Sequence, residues 1–117
     1  MCGNYRCIQK DAMRPIKDAV HGNIDESRAV YQWVAALCIS LGAAEADLVP
    51  FEKYASAAMG LANPSSAARA LFGGAHNIER VDRLVQTIAA QKGMRNTVID
   101  EIVALVDARL EVNRRKA

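Results

Sequence analysis

At 117 residues the chain is long enough for one domain with its own core and too short for two ordinary ones. Half of it is hydrophobic (51%) but only 5% is aromatic. A core must then come from Ala, Val, Ile and Leu, which favours close helix–helix contact over a β-sandwich. The formal charge of +2, with no basic stripe interleaved with aromatics, argues against a nucleic-acid surface.

Residues 1–13 carry no periodic pattern and read as an irregular N-terminal segment. The sequence Arg14-Pro15 followed by IKDAVHG predicts a short helix with Pro15 in its first turn and Gly22 beyond its end. Asp25 is expected to cap a stronger helix in which Val30, Trp33, Val34, Leu37 and Leu41 share a face, with Gly42 as the stop. Its apolar part, AVYQWVAALCISLGAA, contains Gln32 and falls short of the roughly 20 residues needed to cross a bilayer, so it reads as a buried helix rather than a span. Asp47 is expected to begin the next helix, with Pro50 in its first turn and Phe51, Tyr54, Ala55, Ala58 and Met59 as the apolar stripe.

The stretch NPSSAARALFGGAHNIERVD, residues 63–82, is densely punctuated. Ser65 or Ser66 caps a short helix around 66–72, Gly73 and Gly74 end it, and Asn77 is expected to cap the next. Hydroxyl, amide and backbone N–H groups would converge there on one interhelical corner able to take a small anion. Ile78, Val81, Leu84, Val85 and Ile88 then form a stripe that stops at Gly93. Thr97 or Asn96 caps the last helix, with Asp100 and Glu101 in its first turn and Ile99, Ile102, Val103, Val106 and Leu110 facing inward. The closing Arg114, Arg115 and Lys116 read as a solvated tail. The fold class expected is all-α, a single domain of about five or six helices.

Three cysteines, Cys2, Cys7 and Cys38, cannot all pair within one chain, and Cys2 with Cys7 lacks a matching pair at zinc spacing. Reduced thiols and the lack of an apolar leader in MCGNYRCIQK point to the cytoplasm. His21 and His76 stand apart as loop residues without a carboxylate motif, so no metal is expected. The seven glycines form neither GxGxxG nor a P-loop, and no GxSxG, HExxH or paired CxxC appears. Self-contained catalysis is therefore not expected.

The order DESRAVYQWVAALCISLGA, NPSSAARALFGG, then NIERVDRLVQTIAAQKGMRNTVIDEIVALV resembles the C-terminal helical domain of the ketopantoate reductase (2-dehydropantoate 2-reductase) family. Leu41-Gly42, Pro64-Ser65-Ser66, the helix from Ile78 to Lys92, and Gly93 fall in the family's order. The resemblance spans residues 14–113, which divides the chain into segment 1–13, read also as a remnant of a family helix, and a helical domain 14–117. It implies a fold like the 6-phosphogluconate dehydrogenase C-terminal domain, closing over substrate against an NADP-binding Rossmann domain that this sequence does not carry.

By the same resemblance the substrate-contacting serine falls on Ser66 or Ser65, and the glutamate that bonds the substrate hydroxyl falls near Asn77, with Glu79 close by. Asn4 stands for a family asparagine, whereas Lys10 and Lys17 do not match the family's lysine. The implied function is a substrate-binding and dimerisation domain of an NADP-dependent oxidoreductase, taking a small 2-oxo or 2-hydroxy acid. It would be a homodimer or the partner of a separate Rossmann domain, would bind no cofactor itself and would not be catalytic alone. The alternative is a stand-alone helical module that self-associates through its alanine-rich helices and has lost the chemistry.

Overall fold

The computed structural model describes residues 3–116. Cys2, one of the three thiols, lies outside the described residues. Among those described, six α-helices account for the fold, and the only β-pairing is an isolated antiparallel bridge between Ile8 and Met13. The helices are α1 (Ile16–His21), α2 (Ile24–Ser40), α3 (Phe51–Ala58), α4 (Ser66–Phe72), α5 (Val81–Gln91) and α6 (Thr97–Arg115). Short 3-10 turns at Tyr5–Cys7 and Glu45–Asp47 complete the set. The all-α expectation holds.

Helix α6 follows its sequence pattern closely. Asn96 caps it, its Oδ1 accepting from the N–H groups of Val98 and Ile99. All five expected core residues, Ile99 to Leu110, are buried. Glu101 falls beyond the first turn, which Asp100 alone occupies as an acid. Against this helix pack α4 and α5, and the main core joins Ala68 and Leu71 of α4 to Val30 of α2 and Ala19 of α1. A second cluster joins Val20 to Phe51, Ala55 and Ala58 beneath a Tyr31–Phe51–Tyr54 aromatic group, with ring centroids 5.4 to 6.4 Å apart.

Several helix boundaries differ from expectation for local reasons. Asn23, not Asp25, caps α2 by accepting the Glu26 N–H, and Asp25 sits inside the first turn, where its charge still complements the dipole. Asp47 belongs to the separate 3-10 turn, and α3 begins only after Pro50, whose backbone holds the N-cap position. Leu41 and Met59, at the ends of their helices, are exposed because each lies where the chain turns away from the core. Gly42, Gly74 and Gly93 all adopt positive φ just past a helix end, so the glycine stops are as expected. His21 closes α1 rather than lying in a loop, and its Nε2 meets the Ala55 carbonyl at 2.7 Å, tying α1 to α3.

The largest departure is the rotation of α5. Its inward line is Asp82, Val85, Gln86 and Ala89, one residue off the expected stripe, so Val81 and Leu84 face outward and Leu84 is 56% exposed. Two features select this register. Asp82 is fully buried but held by Arg80 through paired contacts of 3.0 Å. Gln86 donates to Asp100 of α6 at 2.9 Å. Asn77 does not cap α5: residues 75–80 cross the surface in irregular conformation, and Arg80 holds the N-cap position.

The N-terminal stretch is the other surprise, since Tyr5, Arg6, Cys7 and Ile8 are all buried. Arg6 donates to Ser27 and, at 2.8 Å, to Glu26, while Arg14 Nε donates to the Arg6 carbonyl at 2.9 Å. Burial, and then the adjacent Arg6 charge, hold the Arg14 guanidinium below its ordinary pKa.

Candidate functional site

Ser65 caps α4, its Oγ accepting the Ala68 N–H at 3.2 Å and donating to the Asn4 carbonyl at 2.6 Å. The hydroxyl is thereby spent in both roles and the residue is only 3% exposed. Its bond to Asn4 spans 61 positions of sequence and brings the N-terminal stretch to the start of α4. Ser66, the next residue, is exposed, and its hydroxyl has no hydrogen-bond partner among the described residues. Of the two serines, Ser66 is therefore the one open to a ligand. With seven residues α4 is too short for its peptide dipoles to build a strong anion site, so side chains must do the binding.

The segment 75–80 is held against the cleft from two sides. From α6, Asn113 Nδ2 donates to the carbonyls of Leu71 and Ala75 at 2.7 and 2.9 Å, and Arg114 Nε to that of His76 at 2.9 Å. Arg114 Nη2 also donates to Asn77 Oδ1 at 3.1 Å. Arg114 is thus a clamp and Arg115 pairs with Glu111 at 2.6 Å, while Arg114, Arg115 and Lys116 are all exposed, as a solvated tail would be. With its oxygen taken, Asn77 presents its Nδ2 donors. From the N-terminal side, the Tyr5 hydroxyl donates to the Glu79 carbonyl at 2.6 Å and accepts the Val81 N–H at 3.0 Å.

The result is a cleft of about 400 Å³ lined by Asn4, Ser66, Asn77 and Glu79, with Tyr5 and Ile78 in its wall. A second cleft of about 340 Å³ shares Asn4 and Ser66 and is walled by Ser65, Asn63 and Arg69. All five sequence-predicted site residues, Asn4, Ser65, Ser66, Asn77 and Glu79, line one or both. Tyr5, Arg69 and Arg114 were not anticipated; the signal available for Arg69 was its position three residues after Ser66, on the same face of one helix. Chemically the first cleft offers hydroxyl and amide donors beside a carboxylate acceptor.

A larger cleft, of about 580 Å³, opens between α2 and the α5–α6 turn, where Trp33, Met94 and Arg95 meet. Gln86 and Asn96 are engaged there, with Asp100 and with the α6 cap, while Thr87, Gln91 and Arg95 are open; none of the sequence-predicted site residues lines it. No group of His, Cys, Asp and Glu among the described residues could hold a metal ion. No helix among them is long and apolar enough to cross a membrane. No family model, curated protein or solved structure matches the chain.

Burial raises the Tyr5 pKa above its ordinary value of 10.0, outweighing the opposing Val81 hydrogen bond, and the Asp82 charge adds to it. The proton therefore leaves the unfolded chain first. The stability that Tyr5 contributes is full below about pH 10 and falls as pH climbs through the folded-state pKa. Tyr5→Phe is expected to cost about 1–3 kcal/mol at neutral pH, by stranding the Glu79 carbonyl and Val81 N–H, and to flatten this alkaline decline. Urea unfolding of both proteins at neutral and alkaline pH measures it; parallel pH profiles would refute the assignment.

Proposed function

We propose that the chain is a substrate-binding helical module of the ketopantoate reductase kind, with a fold like the 6-phosphogluconate dehydrogenase C-terminal domain, and that it holds a small 2-oxo or 2-hydroxy acid. What supports the reading is a single observation. Asn4, Ser66, Asn77 and Glu79 come from separate stretches of chain, line one cleft, and leave a hydroxyl, an amide N–H pair and a carboxylate unspent on the protein. In this reading Ser66 and Asn77 donate to the oxygens of the acid, and Glu79 accepts from its hydroxyl.

Under the proposal NADP is held outside the described residues. They comprise helices and an isolated bridge, with no strand–glycine loop–helix unit to cradle a pyrophosphate. Under the proposal the hydride donor is supplied by another domain or polypeptide, and this chain binds and orients the acid. The outward-facing Val81 and Leu84, with half-buried Ile88 on the same side of α5, provide an apolar face for that partner or for a second copy. The same face favours the second reading, a self-associating module without chemistry.

Titration calorimetry with 2-oxo and 2-hydroxy acids separates the two. Ser66→Ala is expected to lose binding without losing stability. Ser65→Ala is expected to cost about 0.5–2 kcal/mol of stability as a lost cap. Absence of binding by the wild type, or equal binding by Ser66→Ala, would leave only the self-association reading.

A further inference from the structure

The two clefts that meet at Asn4 and Ser66 carry opposite charge. Among the described residues, Glu79 is the only charged one lining the first, and Arg69 the only one lining the second. An anionic group placed in the first cleft would face an uncompensated carboxylate, a repulsion that an open, partly desolvated site does not remove. Across the ridge formed by Asn4 and Ser66 it would face a guanidinium instead.

Arg69 is free for that task. Arg6, Arg28, Arg80 and Arg115 are each paired with carboxylates, Arg14 and Arg114 donate to backbone carbonyls, and Arg109 lies over the Phe72 ring. Arg69 is exposed, and its side chain makes no hydrogen bond or ion pair among the described residues. Its placement is also fixed, because α4 is capped by Ser65 and anchored through buried Ala68 and Leu71, so positions 66 and 69 face the same side.

We propose that the two clefts form one bipolar site, in which Arg69 anchors the carboxylate and thereby sets the direction of the ligand. Ser66, shared by both clefts, donates to the middle of the molecule, and the hydroxyl end lies by Asn77 and Glu79. This rests on the reading of the site as an acid-binding cleft and adds to it the specificity-determining residue. The ligand class it selects is an acid with its anionic group at one end and a hydrogen-bond-donating hydroxyl at the other. A guanidinium suits a carboxylate because its planar fork can bind both oxygens at once.

The test uses pantoate, which carries a carboxylate and a terminal hydroxyl at opposite ends, and its neutral amide, pantoamide, titrated calorimetrically into the full chain. The wild type is expected to bind the acid more tightly than the amide. Arg69→Gln, which keeps most of the stem and removes the charge, should weaken the acid about tenfold or more and leave the amide unchanged. Arg69→Lys should recover part of the loss. Ser66→Ala should weaken both ligands. The acid's affinity should fall with added salt in the wild type and not in Arg69→Gln.

If Arg69→Gln binds the acid as the wild type does while Ser66→Ala loses both ligands, the acid-binding cleft stands and the Arg69 anchor is refuted. If neither variant changes binding, or if the wild type binds neither ligand, both readings fail. Arg69 is exposed and its side chain unpaired, so circular dichroism is expected to report an unchanged fold in its variants.

Discussion

Arg80→Ala is expected to lower the unfolding free energy by about 3–5 kcal/mol, a large share of what a domain this size has. The reason lies in the partner left behind. The Asp82 side chain is 0% exposed, whereas that of Arg80 is 17% exposed. Removing the arginine strands a carboxylate with no access to water. Burial alone would lower the Arg80 pKa, but the hydrogen bonds it donates to Asp82 and Asp107, and their charges, outweigh it and hold the guanidinium above its ordinary value.

The Arg80–Asp107 contact, although 2.6 Å long, involves a half-exposed carboxylate and is worth far less, so Asp107→Ala should cost under about 1 kcal/mol. The double variant Arg80→Met with Asp82→Leu should recover most of the loss, since apolar replacement of a buried pair is often neutral. Urea denaturation of the four proteins measures all three claims. A single Arg80→Ala variant as stable as the wild type would show that Asp82 finds water or another donor, and would remove the proposed cause of the α5 register.

That register marks the boundary of what the sequence made legible. Helix α6 could be read because its cap, its apolar period and its burial agree, and α4 because Pro-Ser-Ser and Gly-Gly punctuate both ends. On α5 the period was right but the face was off by one residue, about 100° of rotation. Counting apolar residues favours Val81 and Leu84, and nothing local reveals that Asp82 can be buried beside Arg80 at little cost. Likewise Asn77 had the chemistry of a cap, yet its Oδ1 goes to Arg114, 37 positions away.

The candidate site divides the same way. Ser65 and Ser66 announce themselves by their neighbours, but which one is open depends on the long-range bond to Asn4. Arg69 looked like any helix-surface arginine. Only the folded chain gathers Asn4, Ser66, Arg69 and Glu79 around a shared ridge, because the N-terminal stretch and segment 75–80 are brought together by Tyr5.

That stretch carries the second large prediction. A chain beginning at residue 14 is expected to lose cooperative folding altogether. Tyr5, Cys7 and Ile8 belong to the same core cluster as Leu71, Ile99 and Val106, and each contributes roughly 1.5–3 kcal/mol of burial at most. Arg6 adds contacts to Ser27 and Glu26, and its loss removes a donor from the fully buried Ser27. The Ser65 cap loses its Asn4 acceptor, and the Glu79–Val81 corner loses the Tyr5 hydroxyl. Taken as upper bounds, before the ordering entropy of the stretch is set against them, these are comparable with the roughly 5–15 kcal/mol by which domains are stable. The expected product keeps much of its far-ultraviolet helical signal, loses near-ultraviolet ellipticity and binds hydrophobic dye, because α2 and α6 retain helix propensity while their shared core is opened. Adding a synthetic peptide of residues 1–13 should restore the near-ultraviolet signal if the loss reflects missing packing rather than a damaged chain. A truncated chain that unfolds cooperatively, within about 1 kcal/mol of the full one, would mean that the N-terminal stretch rests on the core without completing it.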